Sequence, residues 1–194
     1  MPAIIHVIFN LNVYNKGYGG TGVLIKNYKN KTDGATAIEF GLLMLPFFIL
    51  VMGIIEISMY YASGIGLEGA ALGASRVIRT GQAQQSGDPE TVFRDALCDE
   101  VGVLLSCDDI TYETIVVSGG FSSALTAPPD FDEDGNLIPA GFNAGQSDDV
   151  VLIRLGYRHD FLFPFLGALL EDGENTNSSV HVSTVVLRTE PYDY

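Results

Sequence analysis

The sequence predicts an α+β protein in which a long N-terminal helix packs on a small antiparallel sheet. Three observations carry this. Phe40 to Ile55 is an uncharged apolar run of 16 residues. Apolar residues at helical spacing continue beyond it and recur in a second, capped segment. Three later stretches, near 110–117, 149–157 and 180–189, alternate with a period of two. Helices first and strands afterwards fit an antiparallel sheet laid against the leading helix.

At 194 residues, 47% hydrophobic and 18% charged, the chain has the composition of one folded domain and not of a disordered segment. Ten Lys and Arg against 24 Asp and Glu give a net charge of −14, which repels nucleic-acid phosphates. Nucleic acid is therefore not an expected partner. A mean hydropathy of +0.24 in so acidic a chain means that the apolar residues are concentrated in one place.

That place is the first element. The lipid-compatible stretch runs from Ala35 to Ala62 once Glu39 and Glu56 are tolerated, about 42 Å of helix, enough for a hydrocarbon core and both interfaces. A buried helix of a soluble domain would show a polar face within this length, and a cleaved secretory signal would have a shorter apolar core. A single transmembrane helix is expected. It divides the chain into a leader (1–34), the span (35–62) and a C-terminal domain (63–194). Lys16, Lys26, Lys29 and Lys31 against Asp33 leave the leader at +3, whereas six Arg against 23 carboxylates leave the rest at −17. Basic residues stay on the cytoplasmic side. The leader is thus expected in the cytoplasm, and the domain is expected to be exported.

Carboxylates inside a span cost roughly 2.5–3.5 kcal/mol each at the bilayer centre. Glu39 lies in the first turn, where free N–H groups and the helix dipole favour an anion. Glu56 lies about 25 Å further along, near the exported interface, where it is expected to reach water. For Glu39 an interfacial carboxylate and an assembly role both remain open from position alone. Pro46 is expected to kink the helix.

The residues around Glu39 read KNKTDGATAIEFGLLMLP. Basic residues, Gly34, four uncharged residues, Glu39-Phe40 and an apolar run resemble the processing site of type IV prepilins. The longer segment to Gln82, with Leu45-Pro46, Glu56 after Gly-Ile-Ile and an Ala-rich stretch leading to Arg76, resembles TadE-like proteins, minor pilins or pseudopilins of the tight-adherence (Flp) pilus. The closing VVLRTEPYDY, with Arg188, Glu190, Pro191 and Tyr192, resembles the last strand of the same family. The resemblance implies a type IV pilin-like fold and a structural role in pilus assembly and adhesion, with no catalysis and no cofactor. It implies cleavage between Gly34 and Ala35 by a prepilin peptidase. It also implies assembly through Glu39 and Phe40, the acid meeting the new α-amino group of a neighbouring subunit in low dielectric. The implied partners are the membrane, other pilins or pseudopilins and the assembly platform. The implied location is the bacterial inner membrane, single-pass, with the domain in the periplasm or in an extracellular pilus.

Beyond the span the helix is expected to continue. Leu67, Ala70, Ala71, Ala74, Val77 and Ile78 form one apolar face, and Gly64, Gly66, Gly69 and Gly73 permit close approach of a neighbour. Asp88-Pro89-Glu90 is a strong helix start, followed by an apolar stripe of Val92, Phe93, Ala96, Leu97, Val101, Leu104 and Leu105. A helical turn is expected at Pro164 to Leu170. Cys98 and Cys107, in an oxidising exported compartment, are expected to pair; closing so short a loop contributes roughly 2.5–3 kcal/mol on the chain-entropy model.

Other candidate chemistry is thin. Asp130, Asp132 and Asp134 with Gly135 and Asn136 open like a calcium loop, but Gly141 stands where the closing Glu belongs. A weak calcium candidate and a solvated acidic turn are the two readings; no metal site is expected. His159-Asp160 and His181 lack a Ser or Cys in a nucleophile-elbow context. A membrane-tethered hydrolase would need one of these histidines to line a pocket beside a polar partner.

Overall fold

The computed structural model describes residues 35–170 and 177–191. The 1–34 leader, including Gly34 and the four lysines, and Tyr192 lie outside the described residues. The chain divides between Phe48 and Ile49 into two compact units. The elements, in order, are α1 (Ala35–Arg79), α2 (Pro89–Glu100), β1 (Ile110–Val116), α3 (Phe121–Ala124), β2 (Asp130–Phe131), β3 (Leu137–Ile138), β4 (Val150–Asp160), α4 (Pro164–Leu170) and β5 (Ser178–Arg188).

The described part of the first unit is helical throughout, and its large apolar side chains, among them Ile38, Phe40, Leu42, Leu43 and Leu45, are exposed. Pro46 does not end α1. The proline removes one backbone hydrogen bond, and the leucines and methionine around it are strong enough helix formers to carry the turns on either side.

In the second unit the expected small-residue face of α1 is buried. Leu67, Ala70, Ala71, Ala74 and Ile78 have no exposed surface. They pack with Phe93 and Leu97 of α2 and with Ile110, Val151, Ile153, Leu155 and Leu187 of the sheet. Full burial of Leu67 or Ile78 is worth about 1.5–3 kcal/mol each. The sheet is antiparallel in the order β1-β4-β5, with Thr114 opposite Ile153 and Ile153 opposite Val185. The three strands coincide with the three alternating stretches.

Helix α2 starts as its sequence requires. Asp88 accepts from the Thr91 N–H (3.2 Å) and the Thr91 hydroxyl (2.6 Å), which hold its carboxyl below the ordinary value. The apolar stripe, however, outruns the helix. Val101 is already extended, so Leu104 is exposed while Leu105 turns back into the core. Gly102, a poor helix residue, follows the break. The Cys98–Cys107 disulfide closes this loop, with Cα atoms 5.3 Å apart, and Arg94 pairs with Asp108 across it at 3.0 Å.

The sheet's other face is covered as well, which the alternation did not predict. The long connection between β1 and β4 folds over it. Leu137 sits so close above Gly156 that a Cβ there would meet Leu137 Cβ at 2.9 Å, leaving room only for glycine. Thr114 N–H donates to the Gly141 carbonyl and Asn143 N–H to the Thr114 carbonyl, so the returning chain protects the β1 edge. The acidic segment forms the β2–β3 hairpin. Asp132 accepts from the N–H groups of Asp134 and Asn136 and from the Asn136 side chain, which lower its pKa; its oxygens are turned into its own loop.

Beneath this cover lies a buried ion pair. Glu113 and Arg154, opposite each other on β1 and β4, are 2% and 5% exposed and bond at 2.5 Å. Arg154 also donates to the carbonyls of Ala127 and Pro128, and the Ala140 N–H donates to Glu113 Oε2 at 2.8 Å. The pair therefore fastens the covering loop on both sides of the β2–β3 hairpin. Arg154→Ala, which leaves the Glu113 carboxylate buried without its cation, is expected to cost about 3–5 kcal/mol. Replacing both residues by apolar ones of similar size should cost less. Urea unfolding of the full chain in detergent micelles measures both.

Candidate functional site

Two groups of residues bear on function: the acid–aromatic pair near the start of α1, and a polar-aromatic cluster further along it. Glu39 and Phe40 are exposed in the first unit, where the uncharged run of α1 begins. Gly34 lies outside the described residues, so the structure places only the Ala35 side of the expected cleavage bond, at the first residue of α1.

The second group is built from α1, the ends of β4 and β5 and the loop into α4. Tyr60 stacks against Phe161 and His181, with ring centroids 5.5 and 4.3 Å away, and meets His159 edge-on at 5.5 Å. Gly64 makes room for this: a side chain there would meet the His181 ring at 3.2 Å. Of the four glycines expected to allow close approach, Gly64, Gly66 and Gly73 face neighbours, whereas Gly69 faces open space.

Glu56 is where the structure departs most from expectation. Instead of reaching water it is 3% exposed. The Leu162 N–H donates to its Oε1, and the Phe163 N–H donates to its Oε2 at 3.1 Å. These two N–H groups precede α4, whose first residue, Pro164, has none to offer. The carboxylate thus satisfies donors that the start of a helix would otherwise leave orphaned. The loop is pinned on its other side by Asn177, whose side-chain amide donates to the Phe161 carbonyl at 2.6 Å, while the Phe161 N–H donates to the Asn177 carbonyl.

His159 lines a cleft of about 500 Å³ with Glu56, Met59, Ser63, Leu104 and Leu162. Its Nδ1 is 3.4 Å from the Ser63 oxygen, so the pocket and polar partner required by the hydrolase reading are both present. Their orientation does not suit catalysis. The Ser63 hydroxyl donates to the Tyr60 carbonyl at 2.7 Å, and the residue is 2% exposed, so its proton is held by the backbone and not by the imidazole. Glu56 is already engaged by two backbone donors and does not orient the imidazole. Among the described residues, no three His, Cys, Asp or Glu converge to hold a metal ion, and this covers the Asp130, Asp132 and Asp134 loop.

The closing strand also has a defined task. Arg188 pairs with Asp148 at 2.9 Å, and Thr189 is buried against the carbonyls of Gln146 and Asp149. Glu190 meets the end of α1 twice: its N–H donates to the Arg79 carbonyl at 2.8 Å, and its carboxylate pairs with the Arg79 guanidinium at 3.2 Å. Within the Arg-x-Glu pattern, Glu190 is therefore a clamp on the helix end, and Arg188 holds the loop before β4.

Burial holds the His159 pKa below its ordinary value, against the opposing pull of Glu56 and Asp160. A lowered imidazole pKa stabilises the fold fully above the unfolded value, about 6.5. Stability is expected to fall as the pH drops through 6.5, because the unfolded chain takes up the proton first. Thermal unfolding from pH 7.5 to 5.5 should show this decline, flattened in the His159→Gln protein.

Comparison with known families adds one match. The family model described as TadE-like protein matches residues 34–76. Searches of curated proteins and of solved structures return no match. The matched stretch covers most of the N-terminal segment, Gly34 to Gln82, on which the resemblance is read, and does not reach the closing strand. By that match the chain carries a TadE-like segment, consistent with a protein of the Tad pilus system.

Proposed function

We propose that the protein is a minor pilin or pseudopilin of the tight-adherence pilus, with a structural part in pilus assembly and surface adhesion and no catalysis of its own. The observation that carries the proposal is the uncovered rod. α1 is long and apolar enough to cross a membrane, and none of its most apolar window is buried within the chain. Such a surface needs either lipid or the helices of other subunits.

In this reading, residues 1–34 are a cytoplasmic leader, 35–62 the span through the inner membrane and 63–194 the exported domain. The lysines of the leader and the acidity of the remainder support that orientation. A prepilin peptidase cuts between Gly34 and Ala35; the family match starting at Gly34 supports this bond. Cleavage makes Glu39 the fifth residue of the mature chain. Its carboxylate then pairs with the α-amino group of a neighbouring subunit, and Phe40 packs beside it in the helical bundle of the fibre. The other pilins and the assembly platform are the partners.

Two experiments test the proposal. Mass spectrometry of the N-terminus is expected to show a mature chain beginning ATAIEF, and an uncut one in cells lacking the peptidase. An intact leader in both would leave a permanently anchored binding protein as the better description. Glu39→Gln is expected to leave cleavage and membrane insertion unchanged while reducing incorporation into sheared pili at least several-fold. Normal incorporation of that variant removes the amine pairing from the mechanism.

A further inference from the structure

We propose that α4 and the loop leading into it form a second membrane contact, a short apolar element that lies in the exported-side interface of the bilayer beside α1. This inference rests on the reading of α1 as a span.

The segment FLFPFLGALL, residues 161–170, carries no charged or polar side chain. It lies between β4 and β5, whose residues include charges and hydroxyls, and it leaves Leu162 75%, Phe163 39% and Leu170 38% exposed. A water-facing connection of this composition would be anomalous, since surface loops are normally polar.

Its position along α1 supplies the reason. A side chain added at Gly53 would meet Leu166 at 3.9 Å, and the N–H groups of Leu162 and Phe163 bond to Glu56. Gly53 and Glu56 precede Ala62, the end of the lipid-compatible stretch, by nine and six residues, or about 13 and 9 Å along the axis. The headgroup region on one side is only about 5–8 Å deep. A segment touching α1 at that level therefore lies beside apolar bilayer, not in bulk water.

Backbone at this depth persists only when its polar groups find partners within the protein. Here Glu56 receives the two N–H groups ahead of the helix, and Pro164 contributes no donor. The same bonds account for a buried carboxylate within a span. Lipid is the occupant favoured over a second copy because the exposed side chains adjoin the apolar turns of α1.

The chain has no tryptophan, so single reporters can be placed. Leu162→Trp and Phe163→Trp report on the segment, Met52→Trp on the span, and Leu125→Trp, at an exposed site on the covering loop, on solvent. Each full-length protein is reconstituted at low density into phosphatidylcholine–phosphatidylglycerol vesicles with and without lipids brominated on the acyl chain. The expected result is several-fold stronger bromine quenching for L162W, F163W and M52W than for L125W. Quenching of M52W with the segment reporters at the L125W level overturns this proposal and leaves the span intact. Blue-shifted but unquenched segment reporters also overturn it, by assigning the cover to protein, such as a second copy. An unquenched M52W overturns the span reading and this inference with it. Leu162 is three-quarters exposed, so tryptophan there does not disturb packing, and the F163W protein gives an independent reading.

Discussion

The fold depends on one contact surface: the small-residue face of α1 against one side of the β1-β4-β5 sheet. Alanines at 70, 71 and 74 bring the helix backbone near the strands, and Leu67 and Ile78 fill the space at either end. Small residues gain little area individually. They allow close approach, so that aromatic and branched side chains from α2 and β4 complete the core. The other devices hold this contact in place. The Glu190 clamp fixes the far end of the helix, the disulfide shortens the loop after α2, and the stack around Tyr60 closes the near end.

A single helix meets two environments, and its sequence changes character accordingly. Between Phe40 and Ile55 the apolar residues go all the way round. Beyond Ala62 most of them gather on one buried face, with Glu68, Arg76 and Arg79 elsewhere and Ile65 and Leu72 left exposed. The chain has few charges to spare between these regimes, and the one carboxylate at the boundary, Glu56, is folded into the protein by backbone donors. Polarity at such a level is stable only when it is internally matched.

Much of this was legible in the sequence because it rests on periodicity and local chemistry. The three strands, the Asp88-Pro89 start of α2, the turn at Pro164 and the buried face of α1 all follow from residue spacing. What escaped depends on contacts distant in the chain. Glu56 reads as an interfacial acid until the partner N–H groups, more than 100 residues away, are known. Glu113 and Arg154 each interrupt an alternating or apolar strand, and two opposite charges so placed are a signal for a cross-strand pair. Strand register, which sequence alone left undetermined, is what brings them together. The end of α2 is not marked by the apolar stripe, which continues through Gly102 into a loop that still contributes Leu105 to the core.

The Arg79–Glu190 seam carries a consequence for biogenesis. Its halves are 111 residues apart. The alanine face of α1 emerges from the ribosome long before β5 exists to complete the sheet, and β4 is without its outer neighbour for a much shorter interval. The nascent polypeptide thus presents an incomplete core until its last strand is made. Closure of the half-core waits on the final strand.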